Sequence, residues 1–323
     1  MKVRHIVSGT LLIVFAIACL GATAESSRRF IDAQPMSSIT TEGVEIAYQL
    51  LGPDNAETAV LVMGLGASHR VWGDDFVQGI IDAGYRVLLI DNRDTGESIR
   101  YSEDENPLLW WQLLKYELGL GVSALYELSD MGNDVIDVMD ALSIDKAHLI
   151  GASMGGMIAQ VITVEHPQRV QTLVSIMSST WADHLPEPGR QSTAAIRDIA
   201  DDDAKDGARA ARMKEMGFHA EAIPRQVMAI LAAGDRSEAV QKIKAPTLVI
   251  HGRDDTLLSV EHGEHTAAII ENAKLVVFEG MGHNMPDDVR PAILEAIGEH
   301  FEAHPITAEL SPCLLYTSDA ADE

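Results

Sequence analysis

The chain has 323 residues, 46% of them hydrophobic, and a formal net charge of -25 at pH 7. This length and composition are typical of a globular protein with one large domain, and they exclude a fibrous or wholly disordered chain. The strong negative charge argues against a nucleic-acid partner and disfavours anionic substrates, because like charges repel each other.

Residues 1–24 have the pattern of a secretory signal peptide. Lys2 and Arg4 precede an apolar run over residues 6–20, and small residues at positions 22–24 form a cleavage site. The run is short for a membrane-spanning helix. We therefore predict export to the periplasm or the medium, with no stable membrane span after cleavage. A lipoprotein anchored through Cys19 is the alternative, since residues 16–19 loosely resemble a lipidation motif.

From residue 44 onward, short apolar runs alternate with helical patterns. This alternation predicts a mostly parallel central sheet flanked by helices on both faces. The predicted strands cover residues 44–50, 59–63, 85–91, 147–150, 172–177, 247–251 and 274–278. The predicted helices cover residues 76–83, 129–142, 154–165 and 260–271. Catalytic groups are then expected at the carboxyl ends of the strands.

Two segments interrupt the alternation. Residues 179–243 are helical, Met-rich and charged without a clear strand, which predicts a helical cap inserted between two strands of the core. Residues 107–116 are aromatic and apolar, a pattern that fits a lid, an interfacial helix or a helix packed on the core. The candidate substrate-pocket residues in the two segments are Trp110, Trp111, Trp181, Met213 and Phe218.

The cap divides the predicted α/β core into a first part, residues 25–178, and a second part, residues 244–302. A tail over residues 303–323 follows, and its last part, residues 313–323, resembles the translation of a sequencing adapter joined in frame. Without the two ends of the chain neither of its cysteines remains. No disulfide is therefore expected in the mature domain.

Gly151, Ser153 and Gly155 form a Gly-x-Ser-x-Gly pattern between a predicted strand and a predicted helix. A serine on such a tight turn presents its hydroxyl outside the sheet, and the glycines leave room for neighbouring backbone. The bare pattern is common by chance, so its strand-turn-helix setting is what makes it informative. Ser153 is therefore the candidate nucleophile.

A serine nucleophile needs a base to accept its proton and a carboxylate to support that base. His283 lies in a glycine-rich turn after the last predicted strand and is the candidate base. Asp255 follows strand 247–251 and is the candidate acid, with Asp254 as the alternative. We predict that Asp254 caps or braces the turn.

The oxyanion formed during acyl transfer needs two backbone donors. The amide of Met154 is one candidate, because it follows the nucleophile at the start of a helix. The amide of Leu65, in the loop after strand 59–63, is the other. We interpret the charged residues at 91–98 as ion pairs that fix a loop.

His262 and His265 stand three residues apart on a predicted helix. A metal site needs further ligands, and no convincing third ligand accompanies this pair. We interpret the two histidines as part of a solvated helix face and predict neither a metal nor a cofactor.

These motifs resemble the α/β-hydrolase superfamily, and more closely bacterial carboxylesterases and aclacinomycin-type methylesterases. The chain order serine, acid, histidine is the order used on the α/β-hydrolase sheet. The resemblance runs from about residue 37 to residue 301. It rests on residues 61–64, 91–96, 151–156, 251–255 and 280–283.

The resemblance implies ester hydrolysis through an acyl-enzyme, with Ser153, Asp255 and His283 as the triad and the Leu65 and Met154 amides as oxyanion donors. Serine at the turn argues against the dehalogenase and epoxide-hydrolase branches, which use aspartate there.

The chain also departs from the common family pattern at three places. Met63 replaces a frequent histidine before the oxyanion loop, and Leu258 and Ser259 stand where Val-Pro is common. The aromatic stretch over residues 107–116 is an addition to the pattern. These departures concern the acyl pocket and the entrance, and they leave the triad intact.

The sequence thus predicts an exported serine carboxylesterase that hydrolyses neutral short- to medium-chain or methyl esters without a cofactor. A lactonase, a C–C bond hydrolase or a perhydrolase would use the same triad, and these remain alternatives. A non-catalytic ligand-binding protein on the same scaffold is a more remote one, because fold does not fix function. The expected partner is a small-molecule ester.

Overall fold

The computed structural model describes residues 29–102, 108–189 and 207–306. Its centre is a sheet of eight strands. These are β1 Ser37–Thr41, β2 Val44–Leu51, β3 Thr58–Val62, β4 Arg86–Ile90, β5 Ala147–Ala152, β6 Val170–Ile176, β7 Thr247–Gly252 and β8 Lys274–Phe278. Their order across the sheet is β1-β2-β4-β3-β5-β6-β7-β8.

The sheet is mostly parallel. β2 pairs antiparallel with β1 and with β4, and every other neighbouring pair is parallel. Together with helices on both faces, this confirms the predicted fold class. The catalytic candidates follow β5, β7 and β8, so they meet at the carboxyl end of the parallel strands.

Helices connect the strands. They are α1 Arg29–Asp32, α2 Asp74–Asp82, α3 Leu109–Glu117, α4 Leu128–Ala141, α5 Met154–Glu165, α6 Gly207–Glu215, α7 Ile223–Ala233, α8 Ser237–Val240, α9 Val260–Ile269 and α10 Arg290–Glu302. Short 3₁₀ turns lie at His69–Trp72, Pro167–Arg169 and Ala220–Ala222.

β3 shows why the core has two layers. Its five residues are all buried, because successive side chains point to opposite faces and both faces are covered. Val60 and Val62 belong to the apolar cluster that includes α4 and α5. Ala59 and Leu61 belong to the cluster that includes α2 and α10.

β1 and α10 are absent from the sequence predictions. β1 is a Ser/Thr-rich strand at the edge of the sheet and is mostly exposed, so it has no apolar run to reveal it. α10 carries a usable signal, since its buried residues include Ile293, Ile297 and Phe301, which recur every four residues.

The chain between β6 and β7 contains α6, the turn Ala220–Ala222, α7 and α8, with no strand among its described residues. α7 packs against α3 and α4. We use the name cap for the described residues 207–240. The boundaries 179–243 and the other domain limits stay predictions, and residues 1–24 and 313–323 lie outside the described residues.

Residues 108–125 hold every exposed large hydrophobic side chain of the described chain: Leu108, Trp110, Trp111, Leu114, Tyr116, Leu118, Leu120 and Leu125. Trp110 is 66% exposed. This exposure does not fit the alternative of a helix packed on the core. None of the helices described here is long and apolar enough to span a membrane.

Candidate active site

Ser153 occupies the turn between β5 and α5. Its backbone has φ 56° and ψ −120°, a conformation that costs energy for a residue with a side chain. The amide of Ser153 donates a hydrogen bond to the carbonyl oxygen of Ile176 at 2.9 Å, which ties the turn to the end of β6. The turn therefore holds the serine in a strained and well-defined position.

The glycines around Ser153 are required by close backbone contacts. A Cβ on Gly155 would overlap the carbonyl oxygen of Val62, because the start of α5 lies against the end of β3. A Cβ on Gly151 would overlap the carbonyl oxygen of Gly155. This packing brings the first turn of α5 next to the loop that follows β3.

The structure brings Ser153, His283 and Asp255 together in one hydrogen-bonded chain. His283 Nε2 lies 2.9 Å from Ser153 Oγ, and His283 Nδ1 lies 2.7 Å from Asp255 Oδ2. The arrangement assigns the Nδ1 proton to the side facing Asp255, which leaves Nε2 free to accept from the serine hydroxyl. The His283 side chain is 20% exposed, whereas the Asp255 side chain is fully buried.

Asp255 is held in the turn after β7 by more than the histidine. Its Oδ1 accepts hydrogen bonds from the amides of Leu257 and Leu258 at 2.9 and 3.0 Å. Burial alone would raise the pKa of Asp255, but the proximity of His251 Nε2, 3.5 Å from Oδ2, and the hydrogen bond with His283 outweigh burial and hold that pKa below its usual range. The carboxylate is therefore charged and oriented toward His283.

Asp254 points elsewhere. It is exposed, and its Oδ2 accepts a hydrogen bond from the amide of Gly280 at 3.0 Å. Asp254 thus braces the loop that leads to His283. Of the two candidate acids, Asp255 is the one in contact with the histidine.

The loop after β3 lies close to the nucleophile. A Cβ on Gly64 would come within 3.0 Å of Ser153 Cβ. Asn92 Nδ2, at the end of β4, donates to the carbonyl oxygen of Met63 at 2.8 Å and fixes the beginning of this loop. Within the described residues, the Leu65 amide has no hydrogen-bond acceptor.

Met154 is the first residue of α5, so its amide belongs to the first helical turn, whose N–H groups lack acceptors inside the helix. The helix dipole favours negative charge at this end. The amides of Met154 and Leu65 thus lie on the two segments that pack together beside Ser153, which suits an oxyanion.

Ion pairs fix the loop after β4, as the sequence predicts. Asp91 Oδ1 lies 2.8 Å from His69 Nδ1, and both side chains are buried. Asp94 pairs with Arg225 of α7, while Arg93 pairs with Asp134 of α4. These charges have partners within the protein.

The interpretation of His262 and His265 as a solvated helix face is wrong for His262. That residue is 3% exposed, and its two ring nitrogens lie 2.7 Å from Ser179 Oγ and 3.0 Å from the Pro186 carbonyl oxygen. Both nitrogens are thus engaged by the protein. Within the described ranges, no group of three or more His, Cys, Asp or Glu residues could hold a metal ion.

The candidate pocket residues lie in different surroundings. The exposed rings of Trp110 and Trp111 contact each other with centroids 5.8 Å apart. Trp181 Nε1 donates to the hydroxyl of Tyr116 at 3.3 Å, which links the segment after β6 to α3. Phe218 forms a β-bridge with Ala67. The pocket role of these residues stays a prediction.

Met213, the remaining pocket candidate, is half-buried on α6, and its carbonyl oxygen accepts a hydrogen bond from the Phe218 amide at 2.9 Å.

Two residues of the cap that the sequence does not single out also contact the loop after β3. Gln226 Oε1 accepts from the amide of Gly66 at 2.7 Å, and the His219 amide donates to the Gly66 carbonyl oxygen at 2.6 Å. They are 160 and 153 positions away along the chain. No local pattern marks them, because the fold alone creates these contacts.

The chain is similar to known proteins in sequence and in fold. A family model described as alpha/beta hydrolase fold matches residues 60–212. Rhodomycin D methylesterase DauP of Streptomyces sp. (strain C5) is 24% identical over 312 residues, which cover 83% of this chain and 99% of the methylesterase.

Two further proteins are similar to this chain, one in sequence and one in structure. A 2-hydroxy-6-oxononadienedioate/2-hydroxy-6-oxononatrienedioate hydrolase of Cupriavidus pinatubonensis (strain JMP 134 / LMG 1197) is 28% identical over 253 residues, covering 71% of this chain and 81% of that enzyme. The crystal structure of a hydrolase from Pseudomonas aeruginosa PA01 superposes with a TM-score of 0.61 at 25% identity. The superposition covers 82% of this chain and 98% of that one.

Proposed function

Because the chain belongs to the α/β-hydrolase superfamily, we propose that it is a serine carboxylesterase that hydrolyses neutral short- to medium-chain or methyl esters. The observation that carries the proposal is the hydrogen-bonded chain from Ser153 Oγ through His283 to Asp255, set on a strained turn. Its geometry suits a nucleophile, a base and an orienting acid.

In the proposed reaction Ser153 Oγ attacks the ester carbonyl carbon while His283 Nε2 accepts the hydroxyl proton. The charged Asp255 stabilises the resulting imidazolium. The amides of Leu65 and Met154 hold the oxyanion of the tetrahedral intermediate. His283 then gives the proton to the departing alcohol, and water cleaves the acyl-enzyme in a second, equivalent step.

A C–C bond hydrolase is the second candidate, because one similar enzyme acts on an oxononadienedioate. That name denotes a dicarboxylate. A chain with a formal charge of -25 disfavours a dianionic substrate, since long-range repulsion slows its approach. The methylesterase similarity covers more of the chain, which favours the ester. Export, proposed from residues 1–24, agrees with either substrate.

The proposal is tested by turnover of p-nitrophenyl esters from acetate to palmitate by the wild type and Ser153→Ala. We expect activity that is highest on short to medium chains and falls by at least about 10³-fold in the variant, because the nucleophile is lost.

Ser237→Ala is the matched control, since Ser237 Oγ also lies 3.1 Å from a histidine nitrogen, that of His265, outside the triad. Its turnover should equal that of the wild type. A folded wild type without ester turnover, or a Ser153→Ala variant with full turnover, would contradict the proposal.

A further inference from the structure

The cap and the loop after β3 are joined by a short antiparallel ladder. The Ser68 amide donates to the Gly217 carbonyl oxygen at 2.8 Å, and the His219 amide donates to the Gly66 carbonyl oxygen at 2.6 Å. Ala67 and Phe218 form the bridge between these two bonds. Two residues of this loop, Gly66 and Ser68, are therefore held by backbone hydrogen bonds with the cap.

Gln226, on α7, adds a side-chain contact to this ladder. Its Oε1 accepts from the amide of Gly66 at 2.7 Å, and its Nε2 donates to the carbonyl oxygen of Arg93 at 2.9 Å. The residue is fully buried. One amide side chain of the cap thus connects the loop after β3 with the loop after β4.

The contacts leave Gly66 with both of its backbone polar groups bonded to the cap. The carbonyl oxygen of Met63, on the other side of Leu65, is bonded to Asn92 of the core. Leu65 lies between these two anchors. A turn bond inside the loop, from the Ala67 amide to the Gly64 carbonyl oxygen at 3.2 Å, also restrains the peptide unit that contains the Leu65 amide. The direction of that amide therefore depends on this turn, which the core holds at one end and the cap at the other.

α7 is itself anchored firmly enough to act as a support. Arg225, the residue before Gln226, makes a bidentate ion pair with Asp94 at 2.8 and 2.9 Å. Both side chains are at most 2% exposed, and the hydroxyl of Tyr126 donates to the same carboxylate at 2.7 Å. A charge-assisted bidentate pair restricts orientation as well as distance.

We propose that Gln226 is a positioning residue that acts through Gly66 to hold the Leu65 amide in the direction an oxyanion requires. The inference rests on the proposed esterase function. It makes the cap a part of the catalytic machinery. A movement of the cap that broke its contacts with the loop after β3 would also free the Leu65 amide from its position.

The first test replaces Gln226 by methionine, which keeps the side-chain length and removes both hydrogen-bonding atoms. We expect kcat to fall by about 10- to 100-fold, because small misplacement of an oxyanion donor has effects of this size. KM should change by less than about threefold, since ground-state binding does not use the oxyanion donor.

Gln49→Met is the matched control. Gln49 is a second buried glutamine, 2% exposed, whose Nε2 donates to the carbonyl oxygens of Ile31 and Gln34. The same substitution there removes comparable hydrogen bonds away from the loop after β3. Its kcat should equal that of the wild type, which separates positioning from a general loss of packing.

Amide hydrogen exchange at single-residue resolution tests the support without relying on activity. In the wild type the Gly66 amide should exchange more slowly than the Leu65 amide, because only the former has a buried acceptor. Gln226→Met should abolish this protection, whereas Gln49→Met should retain it. A Gly66 amide that exchanges as fast as Leu65 in the wild type overturns the proposal, even if the methionine variant does not fold.

The two measurements keep the inference and the proposed function apart. The Gly66 amide could be protected in the wild type and lose this protection in Gln226→Met, while the wild type shows no ester turnover. That result would remove the esterase proposal and leave the support of the loop by Gln226 standing. Full kcat in a folded Gln226→Met variant of an active enzyme would overturn the positioning role and leave the esterase standing.

Discussion

The two ends of the parallel sheet both carry a hydroxyl, an imidazole and a carboxylate joined by hydrogen bonds. At the carboxyl end these are Ser153, His283 and Asp255. Near the amino ends of the strands, His148 lies 2.9 Å from Thr172 Oγ1 and 2.9 Å from Glu57 Oε2. The same three functional groups therefore occur twice in one molecule.

The two hydrogen-bonded groups differ in solvent accessibility and in backbone conformation, and both properties matter for catalysis. Thr172 lies within β6 and is fully buried, whereas Ser153 lies on a strained turn and is partly accessible. His148 is also fully buried and stacks on Phe301 with ring centroids 4.1 Å apart. Burial lowers the pKa of His148 and outweighs its bond to Glu57, so the ring is neutral at neutral pH.

The comparison shows that connectivity alone does not make a catalytic site. An accessible nucleophile and nearby backbone donors are also needed, and the carboxyl end of a parallel sheet supplies both through its loops and helix N-termini. The hydrogen bonds among Thr172, His148 and Glu57 instead pair polar groups that burial in the sheet would otherwise leave without partners. Changes at the two ends should therefore separate activity from stability.

The largest effect is expected at the acid of the carboxyl end. Asp255→Asn keeps the shape of the side chain and removes the charge that supports His283, so kcat should fall by about 10⁴-fold. Asp254→Asn is the matched control, and its kcat should stay within about tenfold of the wild type because its carboxylate only braces the loop before His283. Ester turnover at saturating substrate measures both. A larger loss in the Asp254 variant would reverse the assignment.

A smaller effect, on stability alone, is expected at the amino end. Thr172→Val removes the hydroxyl that bonds His148 and leaves a buried ring nitrogen unpaired, which should lower the free energy of unfolding by about 1–3 kcal/mol. Turnover per folded molecule should not change. Urea unfolding and ester assays report the two quantities.

Thr163→Val serves as the control for Thr172→Val. Thr163 is equally buried, but its hydroxyl donates to the carbonyl oxygen of Ala159 within α5, where backbone bonding continues without it. Its loss of stability should be smaller than that of Thr172→Val. Equal losses in the two variants would show that the Thr172–His148 bond contributes no more to stability than the hydroxyl bond of Thr163.

An effect confined to acid pH is expected at the same end of the sheet, at His300. Burial lowers the pKa of His300 from 6.5 to about 4, helped by the nearby charges of His304, His148 and Lys274 and opposed by a bond to the Pro246 carbonyl oxygen. Between these two values the unfolded chain binds a proton that the folded protein does not. His300 therefore does not reduce the free energy of unfolding above pH 6.5, and it reduces that free energy progressively as the pH falls toward 4.

His300→Gln keeps a side-chain donor for Pro246 and cannot take up the proton. Its free energy of unfolding should therefore decline less steeply between pH 6.5 and 4, by at most about 1.4 kcal/mol per pH unit. Urea unfolding at several pH values measures the slope. Parallel curves for the variant and the wild type would show that His300 does not contribute.

Local sequence determined much of the fold and the identity of the triad candidates. Parallel strands buried on both faces need continuous apolar runs, and the nucleophile turn needs glycines where backbones meet. Both features are therefore visible as patterns in consecutive residues. β1 shows no such pattern, since an exposed edge strand buries no face.

Tertiary structure alone decided which side chains meet across long separations. It selected Asp255 over the adjacent Asp254, buried His262, and placed Gln226 against Gly66 from 160 positions away. It also left large apolar side chains of residues 108–116 exposed, although the apolar pattern of this segment suits a core helix equally well. The physical reason is that burial and hydrogen bonding depend on which elements pack together, and periodicity within one segment does not contain that information.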